Sequence, residues 1–215
     1  MAGPTAVTLR REERVRRRQA QILDAARACV RADGFHAASM SRICAEASMS
    51  VGHVYKYFAT KEAIMIALVE RDFEDFMSHV TRLRSVGKPD VEVVINEFLN
   101  DILWFLDYDR AALSLETLAE SARNPKFAAL VARVDRLFRD EFRKIVAPLL
   151  EGLTTTEMDI RIDMLLVITR AFAIHIGTHP SSDPNFIAGC ELVLRGILSP
   201  QQQNKELPVP ETKLK

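Results

Sequence analysis

The sequence lacks the motifs with which many enzymes bind phosphates or metals. It has no glycine-rich phosphate loop, no His-Glu-x-x-His sequence, and no cysteine and histidine cluster spaced for zinc. It also shows no constellation of acid and base residues suited to catalysis. We therefore predict that the chain is not an enzyme and has no catalytic residues, no metal site and no cofactor.

Cysteine is scarce, and no apolar run is long enough to predict a membrane span. Cys29, Cys44 and Cys190 are isolated thiols on apolar faces of predicted helices. Together with the absence of a signal peptide, this predicts a reduced, cytoplasmic location without membrane contact, and association with the nucleoid when bound to DNA. Cys44 could be a redox switch, but a small buried packing residue is the favoured interpretation.

The chain has no net charge overall, yet its charge is unevenly distributed. It contains 29 basic and 29 acidic residues, and residues 1–61 contain eleven basic and five acidic ones, so +6 there leaves −6 for the remainder. A basic head, residues 1–62, on an acidic body, residues 63–200, is typical of a protein whose head meets DNA. The arginine-rich arm from Arg10 to Arg18 is predicted either to contact the DNA backbone or minor groove, or to be a frayed solvated leader.

Apolar residues in the head recur with helical spacing and stop at a glycine. Between Arg14 and Asp33 they lie three, four and seven positions apart, which predicts an amphipathic helix. Gly34 can adopt the left-handed backbone conformation, and Phe35 can then fold back onto the helix. We expect the first helix to end at Gly34.

Two short helices separated by a turn are predicted next. Ser39 or Ser41 is available as the N-cap of the second helix. Residues 48–50 form the turn, and residues 51–58 form the third helix with Val54 and Phe58 facing inward. Together these elements predict a helix-turn-helix that presents its third helix to a major groove.

The head resembles the tetracycline-repressor (TetR) family of bacterial transcription regulators. The residues that carry the resemblance are Ile22-Leu23-Asp24-Ala25-Ala26, Gly34-Phe35, Ile43, Ala47, Val54-Tyr55-Lys56-Tyr57-Phe58 and Lys61-Glu62. Two positions depart from the family pattern, because Ser48 stands where glycine is usual in the turn and His53 stands where threonine is usual. The resemblance implies an all-α fold with an N-terminal three-helix DNA-binding domain and a C-terminal helical ligand-binding and dimerisation domain.

The resemblance also implies roles for residues around the turn. Base reading is expected of Arg42, Val51, Gly52 and His53. The residues expected to face or contact DNA phosphates are Tyr55, Lys56, Tyr57 and Lys61, with Lys61 placed behind the predicted cap Thr60. Packing is an equal alternative for Tyr55, and a solvated lysine is the alternative for Lys61.

Beyond residue 62 the sequence predicts six further helices. The fourth covers about Thr60 to Leu83, and a fifth, capped by Asp90, continues to Leu106 before a break at residues 107–109. The remaining starts are marked by local signals: an apolar series from Leu113, Asn124-Pro125, a capping box at Thr154 to Glu157, and Ser182-Asp183-Pro184. Residues 201–215 are predicted to be a disordered tail.

The last two helices are predicted to form a homodimer interface. Residues 160–176 are apolar on almost every side, so this helix is expected to be buried all round. In the family the last two helices pair with their symmetry mates in a four-helix interface, and a monomer core is the alternative. A palindromic double-stranded operator is the expected DNA partner of such a dimer.

The body is expected to bind an unidentified small-molecule effector, as the resemblance implies. The residues proposed for that site are Asn100, Trp104, Tyr108, Glu116, Arg170 and His175. Arg170 lies in an apolar run where an unpaired charge is costly, and an ion pair with Glu116 or Glu120 is favoured over contact with an anionic ligand. His175 is more simply explained as a packed or exposed residue.

These features predict a homodimeric transcriptional repressor that an effector releases from its operator. One alternative is a DNA-bound structural or division-associated protein that has the same scaffold and no effector. A second is a helical enzyme whose head is only a docking module, which the missing acid-base constellation disfavours.

Overall fold

The computed structural model of the protein describes residues 6–83, 90–105, 108–179 and 183–199. These residues form helices without any strand, as the sequence predicts. The nine helices are α1 (Ala6–Ala37), α2 (Met40–Glu46), α3 (Val51–Val54), α4 (Lys61–Leu83), α5 (Val91–Phe105), α6 (Tyr108–Ser121), α7 (Pro125–Val146), α8 (Thr155–Thr178) and α9 (Pro184–Leu198). The predicted tail, residues 201–215, and Ser182 lie outside the described residues.

Helix α1 is longer than predicted and has a break near its end. It begins at Ala6, so the arginine-rich arm is helical and is not a frayed leader. Glu12 and Glu13 each precede an arginine by four positions, a spacing that supports a helix. At Gly34 the backbone leaves helical geometry with φ 78°, as predicted, and one more turn follows to Ala37.

Local capping signals define most of the other helix starts. Asn124, Thr154 and Asp183 each accept a hydrogen bond from a backbone N–H of the first turn, and Thr154 forms the predicted capping box with Glu157. The Thr60 hydroxyl accepts from Ala63 N at 3.1 Å. The predicted break between the fifth and sixth helices is confirmed, since α5 ends at Phe105 and α6 begins at Tyr108. Tyr108 and Asp109 nevertheless belong to α6, where Asp109 lies in the acid-favouring first turn.

Two hydrophobic clusters hold the described helices together. One contains Phe76 of α4 and the buried faces of α5, α7, α8 and α9. The other is the core of the head, and it also contains Leu113 of α6 and Phe127 of α7. Helix α4 contributes to both clusters, Ile64 to the head and Phe76 to the body, so it links the two rigidly.

The end of α1 packs closely on the body. The buried Phe35 ring meets the Phe127 ring edge-on, with centroids 5.3 Å apart. A Cβ atom built on Gly34 would lie 3.0 Å from Glu116 Oε1. The positive φ restricts position 34 to glycine, and a Cβ atom there would also require the Glu116 side chain to shift.

Candidate nucleic-acid interface and cavity

Helix α2 is fixed at both ends by polar side chains. Of the two candidate caps, Ser39 is the one used, and its hydroxyl accepts from Arg42 N at 3.2 Å. At the other end Gln21 Nε2 of α1 donates to Ala47 O at 2.7 Å, and Arg18 donates to Gln21 Oε1 at 2.7 Å. Sequence reasoning missed Gln21, because its partner lies far along the chain and no local pattern marks it.

The turn between α2 and α3 contains a strained residue. Ser48 has φ 53°, the left-handed conformation that glycine adopts without cost. The backbone geometry expected of a helix-turn-helix is therefore present although the usual glycine is absent.

Helix α3 is short and presents an exposed face. It covers only Val51–Val54, and a turn that keeps helical hydrogen bonding continues to Phe58, whose N–H donates to Val54 O at 3.1 Å. Gly52 and the β-branched valines have low helix propensity, which explains why the regular helix is shorter than predicted.

The predicted DNA-contacting residues on this face differ in exposure. Val51, Gly52, Tyr55 and Lys56 are exposed. Tyr57 is half-buried, and its hydroxyl lies 3.4 Å from Nε2 of the half-buried His53. A Cβ atom on Gly52 would meet nothing within 4 Å, so a large partner surface can approach the backbone there.

Arg42 and Lys61 both contact α1. The Arg42 guanidinium lies 2.7 Å from an Asp33 carboxylate oxygen. Lys61 Nζ donates to Phe35 O at 3.0 Å and His36 O at 3.1 Å, and it lies 4.8 Å from the Phe35 ring centroid. Lys61 therefore holds the carbonyl end of α1, a role that the sequence did not indicate.

The three cysteines are buried side chains. Burial raises the pKa of the Cys44 thiol, and burial likewise raises the pKa of Cys29 and Cys190. A higher pKa leaves less thiolate, the reactive form, at neutral pH. These environments support the packing interpretation of Cys44.

A chain of ion pairs joins the head to the body. Arg27 of α1 makes a bidentate contact with Asp72 of α4, and Asp72 is only 6% exposed. Arg110 of α6 lies 4.0 Å from the same carboxylate and 3.7 Å from Asp75. One buried acid is thus shared by an arginine of the head and an arginine of the body.

The body contains a cavity of about 140 Å³ lined by residues of α4, α6, α7 and α8. Asp72 and Arg110 lie in its wall, and most of the remaining wall is apolar. Arg170 also lines the cavity, where it donates to Asp135 at 2.5 Å. The predicted partner of Arg170, Glu116 or Glu120, is wrong: an ion pair exists, but its acid comes from α7.

Asn100, Glu116 and His175, also proposed for the effector site, lie outside the cavity wall. Asn100 is exposed on α5, and Glu116 faces Gly34. The His175 ring stacks on Phe186 with centroids 3.5 Å apart, which supports its interpretation as a packed residue. The side chains of Trp104 and Tyr108 lie outside the described residues.

Helices α8 and α9 expose apolar side chains along one side. In α8 they recur three or four positions apart at Ile160, Met164, Val167, Ala171 and Ile174. In α9 Leu192 is 72% exposed and Val193 is 49% exposed. Within the single chain α8 is therefore not buried all round, which corrects the expectation from its composition.

The described residues contain neither a membrane-spanning helix nor a cluster of metal ligands. None of their helices has the length and apolarity needed to cross a bilayer. They also contain no group of three or more histidine, cysteine, aspartate or glutamate residues placed to hold a metal ion.

A helix-turn-helix on an all-helical body defines the class of DNA-binding transcriptional regulators. Residues 22–68 match the family model described as bacterial regulatory proteins, tetR family. The HTH-type transcriptional regulator UidR of Escherichia coli strain K12 is 33% identical over 111 residues, which are 52% of this chain and 55% of UidR. The match thus spans about half the length of that curated relative.

Two solved structures extend the likeness over most of the fold. Salmonella enterica GusR is 25% identical with a TM-score of 0.61, covering 84% of this chain and 95% of GusR. A TetR transcription regulator from Haloarcula marismortui is 18% identical with a TM-score of 0.70, covering 84% of this chain and 96% of its own. Residues 22–68 therefore match the TetR family of bacterial regulators by sequence, and the described helices share the all-α fold of TetR-family regulators.

Proposed function

We propose that the protein is a homodimeric repressor that a small molecule, bound in the body cavity, releases from a palindromic operator. The observation that supports this proposal is that Asp72 both lines the cavity and accepts hydrogen bonds from Arg27 of the head. A ligand that shifts α4 would also shift this contact, and one that shifts α6 would move Arg110 away from the same carboxylate. The Arg27–Asp72 contact therefore joins the cavity wall to the first helix of the head, which supports coupling between ligand binding and the head.

The DNA contacts are assigned from exposure and position. Val51, Gly52 and His53 lie at the start of α3 and are proposed to reach base edges, and the same role is proposed for Arg42 of α2. Tyr55, Lys56 and Tyr57, in the segment that follows α3, are proposed to contact phosphates. Lys61 Nζ donates to two carbonyls of α1, Phe35 O and His36 O. Its third N–H and its positive charge are proposed to attract a DNA phosphate.

The dimer is proposed to form through α8 and α9. Their exposed apolar side chains, defined above, form a stripe with the spacing of a helix-bundle interface. Gly189 and Gly196 of α9 leave open space around their Cβ positions, which allows another helix to approach closely. Burial of this stripe against a second copy would remove exposed apolar surface that a single chain cannot cover.

Selection of bound duplexes from a randomised library tests the DNA-binding part of the proposal. We expect two-fold symmetric sequences whose half-site centres lie about 34 Å apart, or a multiple of that distance. Enrichment of asymmetric sequences, or no enrichment at low ionic strength, would contradict a dimeric operator-binding protein.

Thermal melting with a metabolite library tests the effector part. A true effector raises the melting temperature as its concentration rises, and it must also weaken binding to the selected operator. A compound that stabilises the protein without changing operator affinity contradicts release by the effector. If no compound stabilises the protein, the effector-independent structural protein becomes the better interpretation.

A further inference from the structure

The charges around the cavity are balanced in pairs. Asp135 accepts from Arg170 at 2.5 Å, and Asp72 is shared by Arg27 and Arg110 while Asp75 lies 3.7 Å from Arg110. Each cationic side chain in the wall therefore has an acid beside it. A charged ligand would lose its hydration on entry and would meet no unpaired opposite charge in the wall. Burial of its charge is therefore costly.

The remaining wall is apolar and partly aromatic. Its surface comes mainly from aliphatic side chains of α4, α6, α7 and α8 and from two phenylalanines, Phe73 and Phe138, whose rings lie 5.0 Å apart. The hydroxyls of Thr117 and Thr169 donate to carbonyls of their own helices at 2.7 and 2.8 Å. These hydroxyls have already used their protons, so they can act only as acceptors toward a ligand.

The volume limits the size of a ligand. The cavity measures about 140 Å³, close to the roughly 150 Å³ of an engineered apolar cavity in another protein that binds benzene. One six-membered ring with a small substituent fills such a space.

We propose that the cavity takes an uncharged, ring-sized molecule with a single hydroxyl or carbonyl group, and that Asp135 and Arg170 reject charged analogues. This inference rests on the proposed effector role of the cavity. The ring packs against Phe73 and Phe138. A ligand hydroxyl or carbonyl oxygen accepts from Arg170, and a ligand hydroxyl can also donate to a threonine hydroxyl oxygen. Specificity comes from the pairing of Asp135 with Arg170, because each side chain cancels the charge that the other would use to select an ion.

Three compounds that differ mainly in charge test the proposal: benzyl alcohol, benzoate and benzylammonium. We expect benzyl alcohol to raise the melting temperature in a concentration-dependent way, and both ions to bind at least about tenfold more weakly. The variant Val134→Phe should abolish the shift by filling the cavity, and Ser114→Phe fills it from the opposite wall should the first variant unfold. Val93→Phe, on the exposed side of α5, should leave the shift unchanged.

Charge variants sharpen the test. Asp135→Asn should allow benzoate to bind, and Arg170→Gln should allow benzylammonium to bind, each gaining about tenfold over the unmodified protein. Tighter binding of either ion than of benzyl alcohol by the unmodified protein overturns the proposal, as does the absence of any shift with benzyl alcohol. Operator retardation without added compound is measured separately, so loss of DNA binding is distinguished from a wrong ligand class.

Discussion

The head leaves only scattered large apolar side chains exposed, whereas the body exposes a continuous stripe of them. On α3 and the turn after it the exposed large side chains are Val51 and Tyr55, and charged or polar groups surround them. On α8 and α9 the exposed side chains are aliphatic and recur with helical spacing. The difference indicates which partner each region needs: a polyanion for the head and a second apolar surface for the body.

The largest expected effect comes from placing a charge on the apolar stripe. Leu192→Glu should dissociate the proposed dimer, because the carboxylate would have to be buried in the interface, and operator affinity should fall about 10²- to 10⁴-fold with the loss of two-site binding. Sedimentation velocity and gel retardation measure both effects. Val93→Glu on α5, 43% exposed, is the matched control and should stay dimeric. If the Leu192→Glu variant remains dimeric, the apolar stripe is not the dimer interface.

The joint between head and body is tested by removing its shared acid. Asp72→Ala should lower the free energy of unfolding by about 3 kcal/mol, because it leaves the poorly exposed Arg27 without its bidentate partner. Urea denaturation measures this change. Asp24→Ala breaks the bridge to Arg71 at a carboxylate that is 70% exposed and should cost under about 1 kcal/mol. Equal losses in the two variants would mean that Asp72 has no special coupling role.

The base-reading role of His53 predicts a loss of selectivity. His53→Ala should reduce discrimination at one base position by about 1–3 kcal/mol, measured over a randomised operator library. Tyr57→Phe keeps the neighbouring ring and removes the hydroxyl near His53 Nε2, so it separates the orientation of His53 from its direct contact. Unchanged selectivity in His53→Ala would refute base reading by this residue.

Lys61 should differ from Lys56 in its effect on stability. Lys61→Ala should lower the salt slope of operator binding by about one unit and also lower the free energy of unfolding by about 1–2 kcal/mol, because its two carbonyl contacts are lost. Lys56→Ala, at an exposed position, should change the salt slope alone. Salt titrations and urea denaturation provide the measurements. A changed sequence preference in Lys61→Ala would argue against a phosphate contact.

The smallest expected effect lies in the turn. Ser48→Gly should raise the free energy of unfolding by about 1 kcal/mol, because glycine adopts positive φ without steric cost. Ser50→Gly is the control, since Ser50 has φ −67° and should lose stability on the same change. Loss of stability in both variants would show that the Ser48 side chain contributes more than its backbone strain costs.

Sequence reasoning succeeded where the determining interaction is local. The caps at Asn124, Thr154 and Asp183 and the backbone break at Gly34 depend on residues within one helical turn, so their patterns are readable. The DNA-contacting and effector residues named from the sequence stay predictions.

Contacts between distant segments were not readable in the same way. Asp135 as the partner of Arg170, and Asp72 as the acid shared by the head and the body, follow only from the packing of separate helices. Periodicity defines which side of a helix is apolar, but it does not define which charged residue of another helix will face it. The same limitation explains why Glu116 and Glu120 were the wrong candidates.

The contact between Gly34 and Glu116 has a consequence for hybrid regulators assembled from different relatives. A head transplanted onto this body should keep glycine at that position, because φ 78° strains any other residue and a Cβ atom there would lie 3.0 Å from Glu116 Oε1, which would have to move aside. It must also supply an aromatic ring to meet Phe127, as Phe35 does. A hybrid that exchanges only the head would otherwise misfold where the end of α1 meets the body. Transferring the residues at positions 34 and 35 together with their body partners would restore folding.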